Sequence, residues 1–371
     1  MTDTGAIETL LARSPFAPDD RDRDTLFARA MREAFAHHLA TNAAFRALCE
    51  DAGLRADTWP DSLADYPYVP AALFKHPRLT RGAAPTALRL RSSGTGGAAS
   101  EIAVCPVTAR RQAKASAKVI AAYLGATRRP FLVLDTPPVP HGDGPLAARS
   151  AATRGFLPFA STVEYVAVPG TDPPAVDLPK LQDALERCAR GNEPIGVYGP
   201  TYALYRAAIA PLLAAGTPVR LPAGSKVAHL GGWKRLGDER VDRATFVRDA
   251  AFAFGVTSED IVDFYGFTEQ MGLVYGSTGG GPRVTPCYAE LIVRDPDTLL
   301  PVPDGATGLV QILTPVPHSY PGISVLTDDV GRVVGRGVDA QGRRGTWFEI
   351  DGRAARAEPR GCGDAPARAE R

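Results

Sequence analysis

The sequence is sparing with cysteine, and its five cysteines, at 49, 105, 188, 287 and 362, are widely spaced with no CxxC pair. That pattern excludes a disulfide framework and a cysteine zinc site. The six histidines form no HExxH or comparable cluster, so no structural metal is expected. His37 and His38, being adjacent, are expected to point to different sides of a helix. Long apolar runs are missing as well. The most hydrophobic helical stretch, near Thr201 to Ala215, is interrupted by Arg206 and is too short to cross a bilayer. Met1 to Leu11 lacks a basic segment followed by an apolar one, so no signal peptide is expected. Excess charge of either sign is absent too: 42 Lys plus Arg stand against 41 Asp plus Glu, which gives no electrostatic reason to expect a nucleic-acid or membrane-surface partner. What remains is a chain of 371 residues, 44% apolar, expected to be a soluble cytoplasmic globular protein.

The apolar spacing of Leu26, Phe27, Met31, Phe35 and Leu39 predicts one amphipathic helix between Arg21 and Glu50, stopped by Gly53. Tyr66 to Phe74 is Pro-interrupted and leads into Lys75, as a loop over the domain surface. Ala87–Arg91 and Ile102–Val107 read as strands flanking a Gly-rich loop, and Thr108 as the cap of a helix running to Gly125. Strand and helix then alternate. A strand at Phe131–Leu134 is followed by a helix near Leu181–Ala189 and a strand at Pro194–Tyr198. A helix after Pro200, a short strand at Val219–Leu221 and a helix Arg243–Phe254 complete the series. This order implies a largely parallel sheet covered by helices. After Ile261 short strands at Ala289–Val293, Gly308–Leu313 and Ile323–Leu326, separated by turns such as Pro301–Gly305, predict a β-rich subdomain. The expected division is an α/β sheet-and-helix region with the Gly-rich loop over 1–255, a further site-bearing strand and a β-rich subdomain over 256–353, and a hinge remnant with a flexible tail over 354–371, together one domain.

Ser92-Ser93-Gly94-Thr95-Gly96-Gly97 lacks the GK[ST] ending of a Walker A loop, which excludes an ordinary P-loop kinase or GTPase. Its glycines still let backbone N–H groups converge on an anion, and its hydroxyls add donors for phosphate oxygens. A tight glycine turn is the plainer alternative. Tyr265-Gly266-Phe267-Thr268-Glu269-Gln270 offers an aromatic for a base, a hydroxyl for phosphate and a carboxylate for Mg²⁺. The alternative there is a strand-to-loop junction with a solvated Glu269.

These two segments, in this order, resemble the adenylate-forming superfamily of acyl-CoA synthetases, adenylation domains and luciferases. Leu326-Thr327-Asp328-Asp329-Val330-Gly331-Arg332 resembles its TGD-type motif, which makes Asp329 the ribose ligand. Gly352-Arg353 with Arg360-Gly361 resembles its hinge motif, in which the arginine approaches the nucleotide. Within the superfamily, Leu73-Phe74-Lys75, Gly231-Gly232-Trp233-Lys234, Ser319-Tyr320-Pro321-Gly322 and Arg360-Gly361-Cys362-Gly363 resemble the LuxE-type acyl-protein synthetases over nearly the whole chain. The resemblance implies an adenylate-forming large domain with mostly parallel sheets and flanking helices. It implies ATP and Mg²⁺ as cofactors, Glu269 as metal ligand, and Tyr265, Gly231 and Gly232 around the adenine. It also implies a fatty-acid substrate, an acyl reductase as partner and Cys362 as the thiol that receives the acyl group.

Arg353, Arg356 and Arg360 stand close before Cys362 and favour its thiolate; an incidental surface thiol is the alternative. The chain ends ten residues after Gly361, so the usual small C-terminal domain with its lysine is expected to be lacking. The loop also departs from the family in reading Ala98-Ala99-Ser100 where Pro-Lys-Gly is usual. Lys75, Lys234 and His229 are weaker candidates for facing a phosphate or a carboxylate; for the two lysines a solvated surface position is the equal alternative. Two competing functions stay open: an adenylating enzyme that passes its acyl-AMP to an external amine, thiol or carrier protein, and a non-catalytic nucleotide-binding subunit.

Overall fold

The computed structural model describes residues 5–54, 60–80, 85–92, 100–138, 146–168, 175–216, 218–233 and 240–354. Helix α1 (Ala6–Ala12) packs on α2 (Arg23–Thr41), and α3 (Ala43–Asp51) follows. The single helix expected over Arg21–Glu50 is therefore two. Asn42 takes an extended backbone, and its side-chain oxygen accepts from Phe45 N at 2.9 Å. An asparagine that caps its own backbone competes with helix continuation.

The segment expected to cross the surface as a loop is instead built into the molecule. Strand β1 (Val69–Pro70) is followed by a 3₁₀ helix, Ala71–Lys75, in which Phe74 is buried, and then by α4 (Pro77–Thr80). Strands β2 (Leu88–Arg91) and β3 (Glu101–Val104) form an antiparallel hairpin. Next comes α5 (Pro106–Leu124). Its cap is Cys105, whose sulfur accepts from Thr108 N at 3.5 Å; Thr108, expected as the cap, lies inside the first turn. Pro106 suits the first helical position, where no N–H is needed.

The chain then supplies β4 (Arg129–Val133), β5 (Leu146–Ala147), α6 (Ala148–Phe156), β6 (Ala160–Tyr165), α7 (Leu178–Arg190) and β7 (Gly196–Pro200). Helices α8 (Thr201–Leu204) and α9 (Ala210–Ala215) are joined by a π-turn at Tyr205–Ile209. Pro211 explains the turn: it lacks an N–H and its ring crowds the preceding carbonyls, so the helix widens ahead of it. The next strand is β8 (Lys226–Leu230), not the expected Val219–Leu221. That short piece instead runs along α10 (Arg243–Phe254), with Val219 N and Leu221 N donating to Ala253 O and Phe254 O.

β9 (Ile261–Tyr265) and β10 (Tyr275–Thr278) complete a sheet of order β10-β9-β8-β7-β4-β6, parallel except for β10. The change to β-rich structure thus comes after Thr278 and not at Ile261. Side-chain alternation divides the sheet's faces. Tyr198, Ala228, Val262 and Phe264 join the core with α5 and α6, while Val197, Val227 and Ile261 join a second core with α7, α9 and α10. The remaining strands, β11 (Arg283–Val284), β12 (Glu290–Arg294), β13 (Gly308–Leu313), β14 (Ser324–Val338) and β15 (Arg344–Arg353), form an antiparallel sheet of order β11-β15-β14-β13-β12. β1 adds to β14 in parallel, Val69 opposite Val325. His37 and His38 do not diverge: His37 Nε2 meets His318 O at 2.9 Å and His38 Nε2 meets Pro317 O at 3.1 Å. A shared turn lying across α2 is reached by two side chains 100° apart.

Gly272 lies hard against α5. It has φ +90°, and a Cβ there would meet the Gln112 side chain and come within 2.9 Å of Gln112 Cα on α5. Gly272→Ala is expected to lose about 2–4 kcal/mol of stability, measured by urea denaturation; a loss under about 1 kcal/mol would show that α5 is not held this tightly.

Candidate active site

A cleft of about 2850 Å³ runs where the ends of β8 and β9 face β14 and β15. Its lining includes Ser92, Ser100, Gly231, Gly232, Tyr265, Gly266, Thr268, Glu269, Asp329 and Arg353. Every described site residue expected from the sequence is therefore in one place. Ser93, Gly94, Thr95, Gly96 and Gly97 lie outside the described residues, as do Lys234, Arg360, Gly361 and Cys362.

Glu269 stands on the 3₁₀ turn Thr268–Gln270 that β9 runs into. Ser100 Oγ donates to Glu269 Oε1 at 3.1 Å. Ser100 is itself pinned to the other side of the hairpin neck: Ser92 N donates to Ser100 O at 3.0 Å, and Ser100 N donates to Ser92 Oγ at 2.9 Å. The neck of the Gly-rich loop is thus fixed against the carboxylate. Burial pushes the Glu269 carboxyl above its ordinary range, more than Ser100 and Arg353 pull it down. The sequence alternative of a solvated Glu269 does not describe this side chain. Beside it Gln270 Nε2 donates to Ile312 O at 3.0 Å and Gly322 O at 2.8 Å, which rivets the turn to the antiparallel sheet.

Asp329 is engaged from two sides. The Tyr265 hydroxyl donates to Oδ2 at 2.6 Å and Arg353 Nε donates to Oδ1 at 3.3 Å. Burial and the Asp329 charge hold the Tyr265 phenol well above its ordinary pKa, so it stays a donor. A bulge between Val330 and Gly331 in the pairing with β15 follows directly, and bulges re-aim the side chains beside them. Each carboxylate oxygen can accept a second hydrogen bond, which leaves Asp329 capacity for a ligand hydroxyl.

Asp263, which had no role in the sequence reading, lies on the same face as Tyr265 and is the carboxylate that His229 faces. Asp263 is ion-paired to Arg283, with Arg243 Nη2 at 3.5 Å and His229 Nδ1 at 3.7 Å. Burial raises the Asp263 carboxyl, but Arg283, His229 and Arg243 together hold it below the ordinary range. Burial, with the two arginines, lowers His229 to about 4, so it is neutral at pH 7. Thr201 Oγ1 donates its one hydrogen to Gly231 O at 2.6 Å and therefore accepts from His229 Nδ1 at 2.9 Å. Through this chain the buried histidine fixes the backbone at Gly231. A polar residue inside an apolar strand, Asp263 in Ile-Val-Asp-Phe-Tyr and His229 in Lys-Val-Ala-His-Leu, was the available signal.

The residues fit a nucleotide and a hard cation. Gly231 has φ +90°, and a Cβ on Gly231 or Gly232 would meet nothing within 4 Å, so packing alone does not require glycine at both; open backbone faces the cleft beside the Tyr265 ring. Glu269 supplies the oxygen donor that Mg²⁺ prefers. Among the described residues no group of three His, Cys, Asp or Glu could hold a metal ion. Cys49, Cys105 and Cys287 are buried and Cys188 partly so. No helix among the described residues is long and apolar enough to cross a membrane.

A sequence profile described as acyl-protein synthetase, LuxE, matches residues 2–369. A long-chain-fatty-acid–luciferin-component ligase of Vibrio harveyi is 25% identical over 345 residues, covering 92% of this chain and 87% of that protein. Among solved structures, an open conformation of 2-hydroxyisobutyryl-CoA ligase in complex with 2-HIB-AMP and CoA superposes with TM-score 0.70 at 16% identity, over 91% of this chain and 76% of that one. The same ligase in the postadenylation state gives 0.68 at 17% identity, over 91% and 69%. The likeness to these structures is one of fold.

A raised carboxyl pKa has a defined stability consequence. Folding takes up a proton at Glu269 between its unfolded and folded pKa values, so stability falls as pH rises through that window and the loss persists above it. Glu269→Gln, which keeps the shape without the charge, is expected to melt above the wild type at pH 8. The difference should shrink toward zero as pH falls through the ordinary carboxyl range. Thermal melts of both proteins across that range check it; a variant that melts lower at pH 8 contradicts the burial argument.

Proposed function

The chain belongs to the LuxE acyl-protein synthetase family, and on that premise we propose how its cleft activates a carboxylic acid with ATP and where the acyl group then goes. The observation that carries the reading is the convergence of Ser100, Glu269, Tyr265, Asp329 and Arg353 on one cleft, held by hydrogen bonds between segments far apart in sequence.

The adenine lies between the Tyr265 ring and the Gly231-Gly232 backbone, the ribose hydroxyls donate to Asp329, and the phosphates follow the Ser92–Gly97 loop and Thr268. Glu269 holds Mg²⁺, which when bound neutralises phosphate charge. A carboxylate oxygen of the acid attacks the α-phosphorus, the bond to the β-bridging oxygen breaks, and pyrophosphate leaves. Such a transfer depends on positioning and charge stabilisation more than on covalent help. Arg353 reaches over Asp329 toward the same phosphate. The Cys362 thiolate then attacks the acyl-adenylate carbonyl, the carbon–oxygen bond to phosphate breaks, and AMP leaves with the electron pair. An acyl reductase is the partner that takes the acyl group onward.

A fatty acid suits the remaining space. Ala109, Ala113 and Ala117 of α5 and Ala148, Ala151 and Ala152 of α6 add small apolar side chains to the cleft lining, and the Vibrio harveyi relative is named for a long-chain fatty acid.

Intact-protein mass spectrometry after incubation with ATP, Mg²⁺ and a panel of carboxylic acids tests the acceptor. The expected result is an ATP-dependent, hydroxylamine-labile adduct on the wild type that is absent from Cys362→Ser. AMP release without an adduct, or an adduct retained by the variant, removes Cys362 from the mechanism and leaves the adenylation step standing.

A further inference from the structure

ATP brings a polyanion into a cleft whose phosphate loop has no cation. Residues 92–100 read Ser-Ser-Gly-Thr-Gly-Gly-Ala-Ala-Ser. Their hydroxyls and amides can donate hydrogen bonds but carry no net charge to set against the leaving pyrophosphate. Of the arginines nearby, Arg243 and Arg283 are committed to Asp263 and Arg149 to Asp135, and Arg353, paired with Asp329, is already assigned to the α-phosphate.

Lys75 is differently placed. The segment that carries it is anchored at one end by β1, which pairs with Val325 and Leu326 of β14 just ahead of Asp329. At its other end α4 packs on β3, the strand that leads out of Ser100. Between them the fully buried Phe74 sits edge-on to Tyr320 with ring centroids 6.2 Å apart. The backbone of Lys75 is therefore clamped between the strand of the ribose carboxylate and the strand of the phosphate hairpin. Its side chain is exposed, lines the cleft and engages no ion pair or hydrogen bond among the described residues.

We infer that Lys75 is the phosphate-binding cation of this cleft, holding the β- and γ-phosphates of ATP and then the pyrophosphate that leaves. An ammonium on a flexible stem suits this task, because it can follow the phosphate oxygens as the bond to the α-phosphorus lengthens. Arg78, Arg91, Arg154 and Arg240, which also line the cleft without an ion-pair partner among the described residues, are competitors for the same role, and unchanged ATP binding in Lys75→Ala would pass it to one of them. The inference rests on the nucleotide reading proposed above.

AMP has no β- or γ-phosphate, so comparing the two nucleotides isolates the charge contact from the rest of the site. Isothermal titration calorimetry of ATP and of AMP, in magnesium buffer, is run on the wild type, Lys75→Ala, Lys75→Arg, Arg78→Ala and Arg91→Ala. Lys75→Ala is expected to weaken ATP binding roughly tenfold or more, the size of a lost charge-assisted hydrogen bond, and to leave AMP binding unchanged; Lys75→Arg recovers most of the loss. An equal loss for ATP and AMP would assign Lys75 a structural role and overturn the inference. So would unchanged ATP binding in Lys75→Ala with an ATP-selective loss in Arg78→Ala or Arg91→Ala. A wild type that binds neither nucleotide overturns the nucleotide reading itself.

Discussion

The hydrogen bond from the Tyr265 hydroxyl to Asp329 joins the last residue of a strand in the parallel sheet to the long strand of the antiparallel one. The nucleotide residues of the cleft lie where those two sheets meet, so their geometry depends on how firmly the sheets are joined there. Gln270 adds a second tie, from the turn beside Glu269 to Ile312 O and Gly322 O. The Ser100 to Glu269 bond adds a third, from the β2–β3 hairpin. Each tie uses a polar group sheltered from water, where a missing partner costs about 1–3 kcal/mol. The joint therefore favours one relative position of the sheets over its neighbours. Positioning of that kind is what phosphoryl transfer most requires of a protein.

Charge is distributed in the cleft according to what each group must do. Asp263 is compensated by Arg283 and Arg243 and is held ionised; breaking one member of such a buried set is expected to be far more harmful than its absence from the start. Glu269 is not compensated in the same way, and burial outweighs the groups that favour its charge. A sheltered carboxylate in a cleft with a raised pKa is a common mark of a functional group, and a cation bound there would restore the balance. Lys75 is the converse case, a cation at the cleft without an anion.

Much of this was legible in the sequence. The Gly-rich loop, the Tyr265–Gln270 segment and the Leu326–Arg332 segment each combine residues whose chemistry has few structural excuses, and their order along the chain matched one family. The alternation of strand and helix gave the parallel sheet. What was not legible were the contacts between distant segments. Ser100 looked like part of a departure from the family loop, yet its hydroxyl meets Glu269 across 169 positions of chain. Asp263 looked like one polar residue in an apolar strand until Arg283 was folded against it. Helix limits shifted for local reasons, Asn42 splitting one helix and Cys105 capping another in place of Thr108. The strand at Lys226–Leu230 was missed because a lysine and a buried histidine interrupt its apolar pattern.

The central claim is that this cleft makes an acyl adenylate with Glu269 among the groups that stabilise the transfer. Acid-dependent exchange of labelled pyrophosphate into ATP measures that half-reaction without reference to the final acceptor. The account predicts exchange by the wild type with a carboxylic acid present and none without it, reduced at least about a hundredfold in Glu269→Gln. A wild type that binds ATP but exchanges no pyrophosphate with any acid, or a Glu269→Gln variant that exchanges at the wild-type rate, would contradict it.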